Sequence, residues 1–286
     1  FFEQDVSGVV VQDSTFENCS SHSFVDGFGG GSLFFGTGNR AVSITRTTFV
    51  DSIASRDGGG INFKEGNVDI IVKSSHFSRC RAKYGGSVFI FQSNSNISVE
   101  SSTFVESTGI LYGGAIFMFQ QNSDVRIDSS YFTKCMATYG GGISLFQSNF
   151  EFSVESSTFT DCDARKAGGA FSAKQGNSDI NFASNTFSGC AATYGGALYF
   201  YEHNANANIQ SNTFTSCHAR LSGGAISLAN GNDDILVQSS RFVGNTVGAG
   251  TSLGVGGAIS AYENNKRMAI LGGGVERRVW NVPQYT

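Results

Sequence analysis

The stretch TYGGALYFYEHNANANIQSNTFTSC, from Thr193 to Cys217, contains the pattern that decides the fold. Two glycines precede a short apolar run, several Asn residues follow, and the stretch ends on Ser-Asn-Thr-Phe-Thr-Ser-Cys. Nearly the same order of residues runs from Thr138 to Cys162, 55 residues earlier. A chain that repeats one unit at a fixed period folds as a repeat architecture.

The unit recurs along the whole chain. Its Phe falls at Phe16, Phe49, Phe77, Phe104, Phe132, Phe159, Phe187, Phe214 and Phe242. After a first interval of 33 residues, the intervals alternate between 28 and 27. A Gly pair ends 18 residues before each Phe after the first, and an Asn lies eight residues after that pair. The alternation indicates an ancestral unit of two coils, about 55 residues long.

Apolar and polar residues alternate with period two after each Gly pair, which predicts a β-strand. Its first inward file consists of Leu33, Ile61, Val88, Ile116, Ile143, Phe171, Leu198, Ile226 and Ile259. A second strand follows the Asn, and the repeated Phe marks a third. The period predicts an all-β fold, a right-handed parallel β-helix (β-solenoid) of about 9–10 coils with ~27–28 residues per coil. We expect one domain over residues 1–275 and a cap or linker over residues 276–286.

In-register stacking of the coils would place each Asn and each Phe over its equivalent in the coil below. The Asn side chains would then form a hydrogen-bonded ladder, and the Phe rings would form a stack. Glycine at the paired positions fits a corner that requires positive φ or close backbone packing.

Two tetrapeptides of the repeat resemble a known family. Gly113–Ile116, Gly223–Ile226 and Gly256–Ile259 read GGAI, and Phe242–Asn245 reads F-x-x-N. At this spacing they resemble the repeats of polymorphic outer-membrane-type surface proteins, within the pectin-lyase-like parallel β-helix superfamily. The resemblance covers about residues 9–275 and departs from the family pattern in that most copies read F-x-x-C or F-x-x-S. It implies a secreted or surface-exposed β-helix that acts in adhesion.

All six cysteines lie three residues after the repeated Phe. They are Cys19, Cys80, Cys135, Cys162, Cys190 and Cys217. One interpretation is disulfides between neighbouring coils, although parallel side chains about 4.8 Å apart lie further from each other than a disulfide prefers. The interpretation we favour is a buried file of free thiols that pack as small hydrophobic groups.

Two N-x-Ser sequons begin at Asn18 and Asn96. They are candidate glycosylation sites, or chance matches in a chain rich in Asn and Ser.

The face that carries the chemistry in β-helix enzymes is poor in charge here. By resemblance, enzymes of this fold that act on polyuronides have clustered Asp, Arg and Lys on one outer strand face. The corresponding face here includes Asn62, Lys64, Ser172 and Lys174, with no carboxylate pair set up for acid–base chemistry. We therefore expect a non-enzymatic protein with no catalytic residue and no cofactor.

A second polar file lies two residues after the ladder Asn. Its members are Asp69, Asn96, Asp124, Glu151, Asp179, Asn206 and Asp234. Stacked carboxylates would repel each other, and calcium would relieve the repulsion. Because Asn interrupts the file twice and solvent screens exposed charges, we favour a solvated corner and expect no metal site.

The least explained feature is a set of aromatic residues on the outward parity after the Gly pair. Predicted partner-binding residues are Phe89, Phe91, Phe117, Phe119, Phe146, Tyr199 and Tyr201, with Phe34 and Tyr262 in the same files and Tyr84, Tyr112, Tyr139 and Tyr194 just before the Gly pairs. A contiguous exposed aromatic stripe is typical of a contact surface. The alternatives are that the rings only stabilise the stacking of coils, or that a loop or the tail covers them.

Composition narrows the choice of partner. The net charge is −4 and charged residues make up only 15% of the chain, which argues against nucleic acid. No apolar run approaches the ~18 residues that a membrane span requires. The chain starts at Phe1 without Met, so we interpret it as a mature or partial chain.

These observations predict a secreted or cell-surface rod. We expect it to act in adhesion or as a structural subunit of an extracellular assembly, with a protein partner or a second copy on its aromatic face. A carbohydrate-binding or polysaccharide-cleaving protein is the alternative. Ice binding through the Thr-Phe-Thr phrases at Thr158–Thr160 and Thr213–Thr215 is a minor one.

Overall fold

The structure, a computed structural model, describes residues 1–22, 29–248 and 256–272 and the backbone of residues 278–280. Within these residues every regular element is a β-strand. The segments between the repeated Phe and the Gly pair are longest in the first and last units, and residues 23–28 and 249–255 of these segments lie outside the described residues, as does most of the tail.

Four sheets run along the rod, and consecutive coils pair in parallel throughout the described repeat. Sheet A contains Phe2–Gln4, Leu33–Thr37, Ile61–Glu65, Val88–Gln92, Ile116–Gln120, Ile143–Gln147, Phe171–Gln175, Leu198–Tyr201, Ile226–Ala229 and Ile259–Tyr262. Sheet B contains Val10–Gln12, Arg40–Thr45, Val68–Lys73, Ser95–Glu100, Ser123–Asp128, Phe150–Glu155, Ser178–Ala183, Ala205–Gln210, Asp233–Gln238 and Met268–Leu271, and an antiparallel strand, Arg278–Trp280, at its end.

The other two sheets consist of shorter strands. Sheet C contains Thr15–Glu17, Thr48–Val50, His76–Ser78, Thr103–Val105, Tyr131–Thr133, Thr158–Thr160, Thr186–Ser188, Thr213–Thr215 and Arg241–Val243. Sheet D contains Ser20–Ser21, Ile53–Ala54, Arg81–Tyr84, Thr108–Tyr112, Met136–Tyr139, Asp163–Ala167, Ala191–Tyr194, His218–Ser222 and Thr246–Val247. The predicted parallel β-helix is confirmed.

The prediction of three strands per coil is wrong, because each coil has four. Sheet D occupies the segment between the Phe and the next Gly pair, which the period alone had left as a corner. Its strands alternate between four and five residues, as in Arg81–Tyr84 and Thr108–Tyr112, and the pairing shifts register at each step. This extra residue, taken up as a bulge, is the source of the alternation between 27 and 28.

The predicted Asn ladder is present. Asn122 donates its side-chain amide to Asn149 Oδ1 at 3.0 Å, and Asn149 donates to Asn177 Oδ1 at 3.0 Å. The same Oδ1 atoms also accept the backbone N–H of the preceding ladder Asn, at 3.0 Å in both cases. The side chains are buried, so each one satisfies groups that water cannot reach.

The repeated Phe forms a continuous stack from Phe16 to Phe242. Ring centroids of neighbours lie 4.5 to 5.1 Å apart and the rings are nearly parallel. The stack lies in one continuous core with the inward residues of sheets A and B. The coil interior is therefore filled by side chains along the rod.

In the Gly pairs from Gly58 to Gly224, the two glycines have different requirements. Gly113 has φ of +60°, which favours glycine because an L side chain is strained there. Gly114 has no such φ, but a Cβ at this position would overlap the carbonyl oxygen of Gly141 in the next coil. The second glycine is needed because consecutive corners touch backbone to backbone.

We predict that Gly114→Ala lowers the free energy of unfolding by about 3 kcal/mol or more, because the clash lies between backbone atoms that cannot move without separating two coils. The matched control is Gly176→Ala, where φ is +58° and the nearest atom to the added Cβ is 4.0 Å away. It should lower the free energy of unfolding by only about 1 kcal/mol. Urea unfolding of both variants measures the difference, and equal losses would contradict the account.

Candidate functional site

The aromatic residues meet where sheet D turns into sheet A. Sheet D ends on a Tyr in four coils, and this Tyr lies just before the Gly pair. The ring of Tyr84 lies 6.2 Å from that of Phe89 in the same coil and 5.8 Å from that of Phe117 in the next. Tyr112 lies 5.1 Å from Phe117. The Tyr rings of sheet D therefore pack on the outer face of sheet A.

A second row of rings lies further along the strands of sheet A. Phe91 stacks on Phe119 at 5.2 Å, and Phe119 stacks on Phe146 at 5.3 Å. Tyr112 meets Phe146 edge to face at 5.4 Å and stacks on Tyr139 at 5.2 Å. We call these rings together the aromatic seam. It consists of Tyr84, Phe89, Phe91, Tyr112, Phe117, Phe119, Tyr139 and Phe146.

The prediction that all these rings are exposed needs correction. Phe89 is only 3% exposed and Phe117 only 1%, because the Tyr residues of sheet D cover them. Phe91, Phe119 and Phe146 are half-buried. The sequence pattern correctly predicts that the rings of Phe89 and Phe117 point outward. It does not predict that the Tyr residues of sheet D cover them.

A smaller aromatic cluster continues the same corner toward the C-terminal end. Tyr199 is buried there, against Ala229, and half-buried Tyr194, Tyr201 and Tyr262 pack around it. Burial raises the pKa of Tyr199 above its usual value. The prediction that Tyr199 is exposed is wrong. Its side chain points away from the core of the rod, but the surrounding Tyr rings bury it. Tyr201 presents part of its ring to solvent.

Cationic side chains lie on the rings of the seam. Lys174 Nζ lies 4.7 Å from the ring centroid of Phe146, and Lys83 Nζ lies 5.2 Å from that of Tyr84. Lys166 lies 5.8 Å from the ring of Tyr139. Contacts of this kind are attractive because the face of the ring is electronegative. The seam is thus an apolar surface with positive charge beside it.

A buried carboxyl lies beside the N-terminal end of the seam. Asp57 pairs with Tyr84 and occupies the Tyr position one coil earlier. Its side chain is 1% exposed, and neither carboxylate oxygen accepts a hydrogen bond among the described residues. Arg56 Nε lies 3.7 Å from Oδ1. Burial raises the pKa of Asp57 to about 7, against the opposing effect of the positive charges of Arg56 and Lys83.

Asn62 follows in the same coil, at the position that Phe89 occupies in the next. It is fully buried, and both polar atoms of its side chain lack a hydrogen-bond partner among the described residues. The file of Tyr84 and the file of Phe89 consist mostly of aromatic or hydroxyl residues. In one coil they instead hold a carboxyl, Asp57, and an amide, Asn62. Such groups cluster at functional sites more often than elsewhere.

Sequence reasoning missed Asp57. Four of the equivalent positions hold Tyr, so the sequence itself shows that Asp57 is an unusual residue for this position. Asn62 and Lys64, which were singled out for the parity of the face, lie in the same coil.

The other predicted residues lie apart from the seam. In the acidic file, Asn96 donates to Asp69 Oδ1 at 2.7 Å and Asn206 donates to Asp179 Oδ1 at 3.1 Å. Asn18 and Asn96 of the two sequons are both exposed. Within the described ranges, no group of three His, Cys, Asp or Glu residues is placed to hold a metal ion. We find no helix there that is long and apolar enough to span a membrane.

The cysteines are free, which agrees with the favoured interpretation. Cys80, Cys135, Cys162, Cys190 and Cys217 have no exposed surface, and Cys19 is half-buried. Their thiols lie near backbone carbonyls, as in the 3.5 Å contact from Cys135 Sγ to the carbonyl oxygen of Phe104. Burial raises the pKa of the Cys80 thiol to about 11.

We predict that a thiol reagent at neutral pH modifies one cysteine per folded chain, Cys19, and all six after denaturation. The buried thiols are covered by the core, and burial also raises the pKa of Cys80 and Cys162, whereas the thiolate is the nucleophile. Absorbance of the released chromophore counts the modified groups. Cys19→Ser should reduce the fast count to zero, and rapid modification of more than one thiol in the folded protein would contradict the buried file.

Asp57 predicts a dependence of stability on pH. Its folded pKa of about 7 lies above the usual Asp pKa of 3.8. Between these two values the unfolded chain releases the proton and the folded chain keeps it, so the free energy of unfolding falls as pH rises from about 4 to about 7. At about 1.4 kcal/mol per pKa unit, the fall amounts to at most about 4 kcal/mol.

Asp57→Asn should remove that fall, since the amide does not titrate. Urea unfolding of both proteins at several pH values between 4 and 8 isolates the contribution of this residue as the difference between them. A difference that stays constant over this range would show that Asp57 is ionised in the folded protein.

Comparisons with known proteins agree with the fold. The family model of right-handed β-helix regions matches residues 2–187. Among curated proteins, none matches the sequence. The crystal structure of PfbA, a surface adhesin of Streptococcus pneumoniae, is similar at 10% sequence identity with a TM-score of 0.49, over 97% of this chain and 74% of that one. A likeness of this degree carries no function with it. Because the family model covers more than half of the residues, the chain belongs to the right-handed β-helix family.

Proposed function

We propose that the protein works outside the cell or at a cell surface, as a non-enzymatic β-helical rod that binds its partner along the aromatic seam. The role is adhesion or the building of an extracellular assembly. The observation that carries this proposal is the row of half-buried rings at Phe91, Phe119 and Phe146, stacked at 5.2 and 5.3 Å.

The seam has the physical properties of a contact surface. Its inner rings are fixed by packing, so the outer rings lose little conformational freedom when a partner covers them. Aromatic side chains are enriched at interfaces because they present a large contact area with few rotatable bonds. The resemblance of the GGAI and F-x-x-N repeats to polymorphic outer-membrane-type surface proteins supports the extracellular location.

One observation favours the second candidate, a carbohydrate-binding or polysaccharide-cleaving protein. A buried carboxyl with a pKa of about 7 beside a cleft is a candidate acid–base group, and Asp57 meets the first part of this description. Among the described residues, the charged groups that shift the pKa of Asp57 are the cations Arg56 and Lys83. The non-enzymatic rod therefore remains the better supported function. Ice binding loses support, because Tyr131 and Arg241 stand exposed on sheet C where a regular Thr array would be needed.

We predict that Phe91→Ser combined with Phe119→Ser preserves the fold and weakens partner binding at least tenfold, because both rings are partly open to solvent. Phe89→Ser with Phe117→Ser should instead unfold the rod, since emptying a buried Phe site costs about 3–5 kcal/mol per residue. Circular dichroism and thermal unfolding separate the two pairs.

Binding is measured with beads that carry the purified protein, on surfaces coated with extracellular proteins or with neutral and acidic polysaccharides. Tyr131→Ser is the matched control, because this ring is 56% exposed on sheet C, away from the seam. Equal binding by wild type and by the Phe91 and Phe119 variant would overturn the role of the seam. Release of new sugar ends by the wild type, lost in Asp57→Asn, would establish the enzymatic alternative.

A further inference from the structure

Sheets B and D carry opposite charge. The ten parallel strands of sheet B contain nine carboxylates, namely Asp69, Glu100, Asp124, Asp128, Glu151, Glu155, Asp179, Asp233 and Asp234, and three cations, Arg40, Lys73 and Arg126. The strands of sheet D contain five cations, Arg81, Lys83, Arg165, Lys166 and Arg220, and one carboxylate, Asp163. In each coil the chain passes through sheets A, B, C and D in that order. Sheets B and D are therefore separated by sheet A on one side of the rod and by sheet C on the other.

Charges on sheet B are partly neutralised within the chain. Lys73 pairs with Glu100 at 2.8 Å, and Arg126 pairs with Glu155 at 3.1 Å. Arg267, beside the sheet, lies 2.6 Å from both Asp233 and Asp234. The carboxylates left without a cation partner among the described residues form one exposed file. They are Asp69, Asp124, Glu151 and Asp179.

Cations on sheet D have no such neutralisation. All five are exposed, and within the described part of the chain none lies within 4.0 Å of a carboxylate oxygen. Arg165 bonds to Thr138 Oγ1 at 2.8 Å and to the carbonyl oxygen of Ile110 at 3.2 Å, and Lys83 and Lys166 lie on rings. These contacts hold Arg165, Lys83 and Lys166 in place without an ion pair, and the nearby carboxyls Asp57 and Asp163 offset only part of the positive charge of the sheet.

The charged residues of sheets B and D have the same spacing along the rod, because each coil contributes one strand to each sheet. Lys83 and Arg165 are separated by three coils, about 14 Å along the rod. Asp69 and Glu151 are also separated by three coils. Lys83 belongs to the same coil as Asp69, and Arg165 to the same coil as Glu151. Two rods that lie side by side, parallel and without axial shift, would bring both pairs together.

Apolar side chains stand among the charges on both sheets. Ile53, Ile110 and Met136 on sheet D are 44%, 42% and 47% exposed. Ile71 and Phe150 on sheet B are each 43% exposed. Contact between the faces would remove part of this area from water, which adds attraction to the electrostatic complementarity.

We propose that copies of this chain associate side by side, with sheet D of one rod against sheet B of the next. Each copy has one face of each kind, so the contact is heterologous and leaves a free face at both ends of the pair, which allows an open row of rods. Nine strands of about four residues give a contact of about 1,100 Å² in total, at the lower limit of specific interfaces. Association is therefore weak in solution and is reinforced where the copies are concentrated, as on a surface.

The association does not use the outer rings of the seam, Phe91, Phe119 and Phe146, although Lys83 and Lys166 of sheet D lie on the seam rings Tyr84 and Tyr139. It stands or falls separately from the proposed function. The test is sedimentation velocity of the purified chain at about 100 μM protein, in 20 mM and in 300 mM salt. We expect concentration-dependent association at 20 mM and at least a tenfold weaker one at 300 mM, because salt screens exposed charges. Phe91→Ser with Phe119→Ser should associate as the wild type does.

Charge reversal tests the pairing directly. Lys83→Glu with Arg165→Glu leaves sheet D with three cations and three carboxylates, and Asp69→Lys with Glu151→Lys leaves sheet B with seven carboxylates and five cations. Each variant makes both facing pairs like-charged and lowers the charge difference between the sheets, so each alone should associate at least tenfold more weakly than the wild type at 20 mM salt. An equimolar mixture of the two should associate again, at least into pairs, since the unaltered sheet D of the second variant meets the unaltered sheet B of the first. Arg241→Glu, an exposed reversal on sheet C, is the control and should associate normally.

Three results would overturn the proposal. They are a wild type that stays a single chain at 20 mM salt, association that survives both reversals, and a mixture that fails to associate while both variants fold with wild-type thermal stability. Binding of a soluble polyanion such as heparin to sheet D by a wild type that never self-associates would assign this face to another class of partner.

Discussion

Vertical registration of identical residues is the constraint on which the rest of the structure depends. A ladder Asn can satisfy the backbone N–H and the side-chain amide of its neighbour only if the next Asn lies directly in line, as Asn122, Asn149 and Asn177 do. The Phe stack requires the same alignment. A shift of one residue would leave buried polar groups without partners at every coil, so the register is strongly specified.

This constraint explains which parts of the structure could be predicted. The Asn ladder, the Phe stack and the inward file of sheet A follow from position within the repeat, because like residues must lie over like. Sheet D could not be derived in the same way, since its residues vary in type and its strands vary in length, as in Arg81–Tyr84 and Thr108–Tyr112. Both the cover over Phe89 and the basic face depend on that sheet. The alternation of polar and apolar residues correctly predicts the direction of the Phe89 ring. The burial of this ring depends on Tyr84 of sheet D, which the alternation does not describe.

The rod divides its surface among different kinds of chemistry. The seam is aromatic and only partly open, sheet B is acidic, and sheet D is basic. Sheets A and C carry little charge on their strands. A β-helix can maintain such a division because each sheet has its own files, and a substitution in one file leaves the backbone pairing of the other sheets unchanged. Asp57 is the exception, as a carboxyl in a file in which four of the equivalent positions hold Tyr, and burial raises its pKa to about 7.

The alternating lengths of the sheet D strands have a consequence for how such a rod can grow. Strands of four and five residues alternate from Arg81 to Ser222, and each bulge fits against a neighbour without one. Duplication or loss of a single coil would place two equal strands side by side and change the geometry of that junction. Duplications or deletions that preserve the junctions must therefore add or remove two coils at a time. The length of such a rod then changes in steps of about 10 Å.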